Sequence, residues 1–243
     1  MFSMKKMNLK KMKCPITIQL IPYGGGWTDV RINMFGTELY FVISNYVGNQ
    51  FSDLMKVLYH MYPRQNDSEN ADDLIESKVG IAEWTGEKYE VLKVVDSTKD
   101  ADGHATFIDI PWKAEFSWTD EERTTKWLLE RKPNCDRNFY LSIKIEVENG
   151  WYDVPKEEYE FIVQYRDMCY AVAKACTDAL KKHGFYGYHY STYFQDINIR
   201  HLLFLKSVAL DNFEARKLTF YEEKGQGEIS DFEKEIELLL FDM

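Results

Sequence analysis

The segment from His183 to Tyr193, HGFYGYHYSTY, sets two histidines and five aromatic rings around two glycines. Two kinds of chemistry fit those residue types. Histidine changes charge near neutral pH and serves as a general acid or base when a nucleophile and an orienting carboxylate stand beside it. His183, His189 or His201 could draw on Asp196 or a cysteine, but no serine or cysteine in the chain lies in the glycine-flanked turn that presents a nucleophile. Tyrosine, by contrast, offers a large rigid apolar face and one hydroxyl at small entropic cost, a property that concentrates binding energy at protein interfaces. The segment therefore reads as a recognition loop in which Tyr186, Tyr188, His189, Tyr190 and Tyr193 bind, and no catalytic residue is assigned. The alternative is packing, with Gly184 ending a helix and the rings lying beneath the loop.

A second candidate surface is acidic. Asp120, Glu121 and Glu122 fall together in a polar turn, and Glu157, Glu158 and Glu160 follow at what reads as a helix start, where acids also suit the helix dipole. Such carboxylates would meet a basic partner, or simply keep a turn and a helix end solvated. Asp96, Asp100, Asp102 and His104 have the look of a calcium loop, but its first ligand would be Thr98 and its last Asp109 in place of glutamate, with strands flanking it in place of helices. No metal and no cofactor is assigned. Gly24, Gly25 and Gly26 lead into a strand, without a helix N-terminus or a following lysine, so they form a hairpin turn and not a phosphate cradle. Cys14, Cys135, Cys169 and Cys176 include no CxxC pair; the last two, on one face of a predicted helix, read as buried thiols in a reducing compartment.

The elements that must position these residues come as strands first and helices last. Ile16, Ile18 and Leu20 open a strand; Val30, Ile32 and Met34 alternate with polar neighbours in a second; Leu39, Phe41 and Ile43 mark a third that reaches Gly48. Asn49 can cap a helix with Phe51, Leu54, Leu58 and Met61 on one face, ended by Pro63. Residues 64–77 are polar and read as a linker or long loop. Strands are expected at 79–83 and 89–95, on either side of a Gly86 turn. A clear alternation follows: Trp112, Ala114, Phe116 and Trp118, then Thr125, Trp127 and Leu129, then Phe139, Leu141, Ile143, Ile145 and Val147 with Ser142, Lys144 and Glu146 facing water. That is an antiparallel meander.

From Pro155 the spacing turns helical, with Ile162, Tyr165, Cys169, Val172, Cys176 and Leu180 on one face up to a stop at Gly184. A second helix near Ile199 to Leu210 is apolar on several sides through Leu202, Leu203, Phe204 and Leu205. A last one, capped by Ser230 with Glu233, buries Phe232, Ile236, Leu239 and Leu240. The fold class is α+β: antiparallel sheets from the N-terminal and middle regions, packed by one early helix and three C-terminal helices. The chain reads as one domain or as two closely packed lobes, residues 14–63 and 78–243, behind a basic head of residues 1–13.

Length and charge narrow the possible partners. With 243 residues and 45% hydrophobic composition, the chain can bury a core without metals or disulfides. Thirty basic against forty acidic residues give a net charge of −10, which disfavours nucleic acid and favours basic partners. Lys5, Lys6, Lys10, Lys11 and Lys13 are followed by no unbroken apolar run, because Pro15, Thr17, Gln19 and Pro22 interrupt it, so a cytoplasmic protein with no cleaved signal is expected. No stretch approaches the about eighteen apolar residues of a membrane helix.

The order of strand, Gly-Gly-Trp turn and strand, then YVGNQFSDLMKVLYHMY, FSWTDEERTTKWLLERK and FYLSIKIEV, resembles uncharacterised bacterial proteins grouped with polymorphic-toxin immunity proteins. The segment VAKACTDALKKHGFYGYHYSTYFQDINIRHLLFLKSV is similar to their closing helix, Gly-Tyr turn and Leu-rich helix, with Tyr193 where that pattern carries tryptophan. The resemblance implies a small acidic protein that neutralises a basic protein toxin by binding it, without turnover. The alternative function is a small-molecule-binding protein or enzyme with a pocket between the meander and the long helix, near the 183–193 segment.

Overall fold

The structure, a computed structural model, describes residues 14–46, 50–62, 113–120, 122–131, 139–149, 156–211 and 232–243, apart from the side chains of His60 and Asn149, together with the backbone of strands at 79–84, 89–95, 98–99, 105–106, 218–219 and 229–230. The basic head, the cap at Asn49, the 64–77 linker, the Gly86 turn, Trp112, the carboxylates of the 96–104 loop and Glu121 lie outside the described residues.

Strands β1 (Ile16–Gly24), β2 (Trp27–Met34) and β3 (Thr37–Ser44) form an antiparallel sheet in that order, and helix α1 (Gln50–Met61) follows. Then come β4 (Val79–Trp84), β5 (Tyr89–Val95), the short pair β6 (Thr98–Lys99) and β7 (Ala105–Thr106), β8 (Lys113–Thr119), β9 (Arg123–Arg131), β10 (Tyr140–Asn149) and β11 (Glu157–Gln164). Helices α2 (Tyr165–Ser191) and α3 (Ile199–Ala209), the short pair β12 (Leu218–Thr219) and β13 (Ile229–Ser230), and α4 (Phe232–Leu240) complete the chain. The second sheet runs β11-β10-β9-β8-β4-β5, antiparallel throughout except where β4 lies parallel to β8. The architecture is α+β, and the described residues include four helices, one early and three late.

Alternation decides which faces are buried. Ile16, Ile18 and Leu20 of β1, Val30, Ile32 and Met34 of β2, and Leu39, Phe41 and Ile43 of β3 all point inward. So do Ala114, Phe116 and Trp118 of β8, Trp127 and Leu129 of β9, and the odd-numbered residues of β10 from Leu141 to Val147. The inner faces meet through Phe41, whose ring centroid lies 5.7 Å from Trp118 and 5.8 Å from Trp127, and one continuous cluster of buried residues draws on both sheets and on α1, α2 and α3. The opposite face of the β8–β11 meander carries a ladder of exposed ion pairs, among them Lys126–Glu148 at 3.0 Å and Lys156–Glu146 at 2.6 Å. Glu146 is thereby held at a pKa of about 2, through hydrogen bonds from Lys144 and Lys156.

Four expectations are corrected. Residues 157–164 form the edge strand β11, not the start of a helix, because Tyr159, Phe161 and Val163 alternate inward against Glu158, Glu160 and the exposed Ile162. Gly184 does break the helix, with φ 68° and ψ 170°, but α2 is not finished there, because a second helical stretch follows the kink as far as Ser191. Ser142, expected to face water, is buried; it is short, and cross-strand Ile162 and Glu130 stand on either side of it. In α4 the buried residue is Leu238, while Phe232, Ile236 and Leu240 face solvent, and Ser230 belongs to β13.

The reason for that last rotation is Lys206. This fully buried lysine on α3 donates to the carbonyls of Leu238 at 3.3 Å, Leu239 at 2.8 Å and Phe241 at 2.9 Å, so its three N–H groups satisfy the carbonyls that α4 leaves open at its C-terminus. Burial and the nearby Lys181 lower its pKa from 10.5 to about 8, against the opposing pull of Asp242. A lysine whose folded pKa is depressed carries a standing cost below about pH 8 that disappears towards pH 10.5, because across that window the unfolded chain holds a proton the folded chain has released. Replacing Lys206 by Met should destabilise the protein by about 1–3 kcal/mol in urea unfolding at pH 7 by leaving the Leu239 and Phe241 carbonyls without this donor, while that of Leu238 keeps the N–H of Phe241. The gap between wild type and variant should widen as pH rises from 7 to 10, because only the wild type gains stability across that window; a gap that is constant or narrows would show that the core does not depress the pKa of this amine.

Candidate functional site

The aromatic segment is built by the kink. Helix α2 buries Met168, Cys169, Val172 and Cys176 along its first part, and Gly184 then takes a backbone conformation that only glycine adopts freely. The last two turns are re-aimed and fixed by Tyr188, which is only 5% exposed and whose hydroxyl pKa burial pushes up. Of the five residues expected to bind, Tyr188 is therefore a core anchor, and the structure leaves Tyr186, Tyr190 and Tyr193 exposed with His189 half-buried.

Beyond Ser191 the chain makes a strained turn. Tyr193 and Phe194 have φ of 55° and 66°, two consecutive left-handed aromatic residues, at a cost of about 1–2 kcal/mol each. Several bonds hold them there. The N–H of Phe194 donates to the carbonyl of His189 at 2.8 Å, and the N–H of Thr192 to that of Tyr188 at 2.9 Å. The buried Thr192 hydroxyl lies 2.8 Å from the Tyr188 carbonyl and 2.6 Å from that of Gln195, with one proton to share between them. His189 Nδ1 meets Asp196 Oδ1 at 2.9 Å, closing the turn from its two ends. Asn198 then caps α3, its side chain accepting from the N–H of His201 at 3.1 Å.

The turn brings together rings from distant parts of the chain. Tyr46, just after β3, lies 4.5 Å from Tyr193; Phe194 lies 5.5 Å from Tyr193, 5.8 Å from Tyr190 and 5.2 Å from His189; Trp27 lies 6.4 Å from Tyr46. The outer rings stay in water, from 49% exposure at Tyr193 to 67% at Tyr190, with Tyr186 nearby in sequence at 82%. Gly26 makes this approach possible: a Cβ there would stand 2.9 Å from Tyr46 Cε2 and 3.1 Å from Tyr193 Cβ.

Comparison with protein-family models, with curated proteins and with solved structures finds no match for this chain.

Beside the rings lies an open cleft of about 430 Å³, between α1 and the α2–α3 turn and not between the meander and α2. Ser52, Asp53 and Lys56 line one side, Phe194, Asp196 and His201 the other. Burial raises the Asp53 carboxyl pKa, with Lys56 opposing. Among the described residues no serine or cysteine is hydrogen-bonded to the His189 ring, and no group of three His, Cys, Asp or Glu side chains is placed to hold a metal ion. Helices long and apolar enough to cross a membrane are likewise absent among the described residues.

The acidic turn sits elsewhere on the same end. Asp120 accepts from the N–H groups of Glu122 at 3.1 Å and Arg123 at 2.6 Å and pairs with the Arg123 guanidinium at 3.2 Å, so its carboxylate is engaged in shaping the β8–β9 hairpin. Glu157 begins β11, and with β9 and β10 between them the two acidic segments are about 14 Å apart at the usual strand spacing. A cavity of about 20 Å³ under Asp120, Arg123 and Tyr40 admits no more than a water molecule.

Tyr46, Trp27, Gly26 and Phe194 were not expected in the site. Phe194 had a signal, since it extends the aromatic run by one; Tyr46 and Trp27 had none, because only the tertiary fold brings them there. Gly184 and Gly187 provide the test of the kink. Alanine at 184 has open space but the wrong backbone, and should cost about 1–3 kcal/mol in urea unfolding and alter the near-ultraviolet aromatic signal. Alanine at 187, where its Cβ would meet His183 Cβ at an ordinary 3.6 Å, should be neutral or stabilising by up to about 1 kcal/mol. Equal effects at the two positions would contradict the kink.

Proposed function

We propose that this protein is a non-catalytic binding module of immunity type, acting in the cytoplasm, that sequesters a basic protein toxin through the aromatic surface at the end of α2. The observation that carries this reading is the contact chain Tyr46, Tyr193, Phe194 and Tyr190, exposed to solvent yet held by a strained, multiply bonded turn. Grouped rings on a surface mark interaction sites, and rings held in place before binding lose little side-chain freedom when they dock. A net charge of −10 favours encounter with a basic partner, and the resemblance to immunity proteins points the same way. Asp120, Glu121 and Glu122 would contribute at the rim, through rate and salt dependence more than through affinity.

A small polar ligand in the α1–α3 cleft is the second reading, favoured by the cleft's volume and by Asp53, Lys56 and His201 on its walls.

Pull-down from the native lysate, followed by titration of the purified partner, separates the two. The wild-type protein should retain one basic protein, released as salt rises. The Tyr190→Ala/Phe194→Ala double variant should bind it at least tenfold more weakly, as truncation of aromatic anchors does. Reversal of Glu121 and Glu122 should slow association and flatten the salt dependence. Unchanged affinity in the double variant would remove the aromatic surface from the account, and a ligand-induced thermal shift abolished by Asp53→Asn, with no protein retained, would favour the cleft.

A further inference from the structure

Helix α4 presents an apolar stripe to solvent. Phe232, Ile236 and Leu240 recur every four residues on one side of its nine-residue length, and Phe232 and Leu240 are 70% and 74% exposed. This stripe is the greater part of the face that the sequence pattern would bury. Leu238, on the other side, enters the core, and Leu239 packs against it at the boundary.

The orientation is firmly held. Buried Lys206 binds three carbonyls at the end of the helix, Lys181 Nζ meets Asp242 Oδ1 at 2.5 Å, and Lys174 Nζ donates to the carbonyl of Met243 at 3.1 Å. Turning the stripe inward would pull Leu238 out of the core. A helix anchored in this way, with its apolar side outward, has a surface left to cover.

Charge selects what covers it. Glu233 and Glu237 each follow a stripe residue by one position, so carboxylates border the stripe along one edge, and Glu235 adds a third acid to the helix. Antiparallel isologous pairing with a second copy would bring those acidic edges together, and an anionic lipid surface would be repelled. We propose that the outward face of α4 is a docking site for a basic amphipathic helix of a partner protein, laid along the stripe with its apolar residues on Phe232, Ile236 and Leu240 and its lysines or arginines towards Glu233 and Glu237. The site is separate from the aromatic surface and does not depend on the function proposed for it.

The probe is a helical peptide of about 14 residues with leucines on one face and lysines on the other, titrated into the full isotope-labelled chain by NMR. Saturable shifts centred on residues 232–240 are expected, with affinity reduced at least tenfold by Ile236→Ser and several-fold by Glu233→Lys/Glu237→Lys. A matched leucine–glutamate peptide should leave the spectrum unchanged. Both variants alter exposed positions and should keep the wild-type melting curve; if Ile236→Ser unfolds, the charge variant carries the test. The proposal fails if shifts spread over the outer sheet and ignore both variants, if the glutamate peptide binds equally, or if the protein self-associates in a way that Ile236→Ser abolishes, which would make a second copy the occupant.

Discussion

The two sheets, whose inner faces meet at Phe41, are tied together by the hydrogen bonds of a buried side chain, that of Gln50. Its amide nitrogen donates to the carbonyls of Ser44 at 2.6 Å and Thr119 at 2.9 Å, its amide oxygen accepts from the N–H of Thr119 at 2.5 Å, and its backbone carbonyl accepts from the Trp118 indole at 2.8 Å. The end of β3, the start of α1 and the end of β8 are thereby tied at one point. Only an amide can do this, since Thr119 offers a donor and an acceptor together and glutamate would answer only one of them. In a dry site each broken bond leaves an orphan costing about 1–3 kcal/mol, so the joint is both specific and hard to loosen by parts.

The candidate binding surface grows from that joint. Ser44 leads directly to Asn45, whose N–H donates to the Gly26 carbonyl at 2.7 Å, and to Tyr46, which packs on Tyr193. Two residues into α1, the Ser52 hydroxyl reaches the Asp196 carbonyl at 3.4 Å, and Gln195 reaches back to the Asn45 carbonyl at 3.5 Å. The strained pair Tyr193 and Phe194 is therefore supported from both sides of Gln50, by the strand before it and the helix after it. Strain of this kind persists only where its surroundings over-determine it, and such positions cluster where a molecule binds.

The strands and the helix α1 were legible in the sequence because burial on one face writes a period into the residues: Val30, Ile32 and Met34, or Phe51, Leu54 and Leu58, admit one interpretation each. The 157–164 segment misled because Ile162 and Tyr165 are three apart as well as on either side of a strand end, and a short apolar run fits both periods. Gly184 was identified as a break, but a single glycine does not say whether the chain stops or turns. In α4 the apolar pattern was present, yet Lys206, 32 residues before Leu238, decided which side faced the core. Half of the candidate surface was visible as the run from Tyr186 to Tyr193. The rest arrives through the tertiary fold: Tyr46 and Gly26 approach Tyr193 from more than 140 residues away in the chain, and Trp27 joins them through Tyr46.

Hydrogen exchange in a Gln50→Met variant tests the dependence of the surface on the joint most directly. The arrangement predicts that the amides of Thr119, Asn45 and Phe194 lose protection together, by tenfold or more, although Phe194 is bonded within its own turn to His189. Faster exchange at Thr119 alone, with Asn45 and Phe194 protected as in the wild type, would show that the aromatic turn stands without Gln50 and would contradict the account.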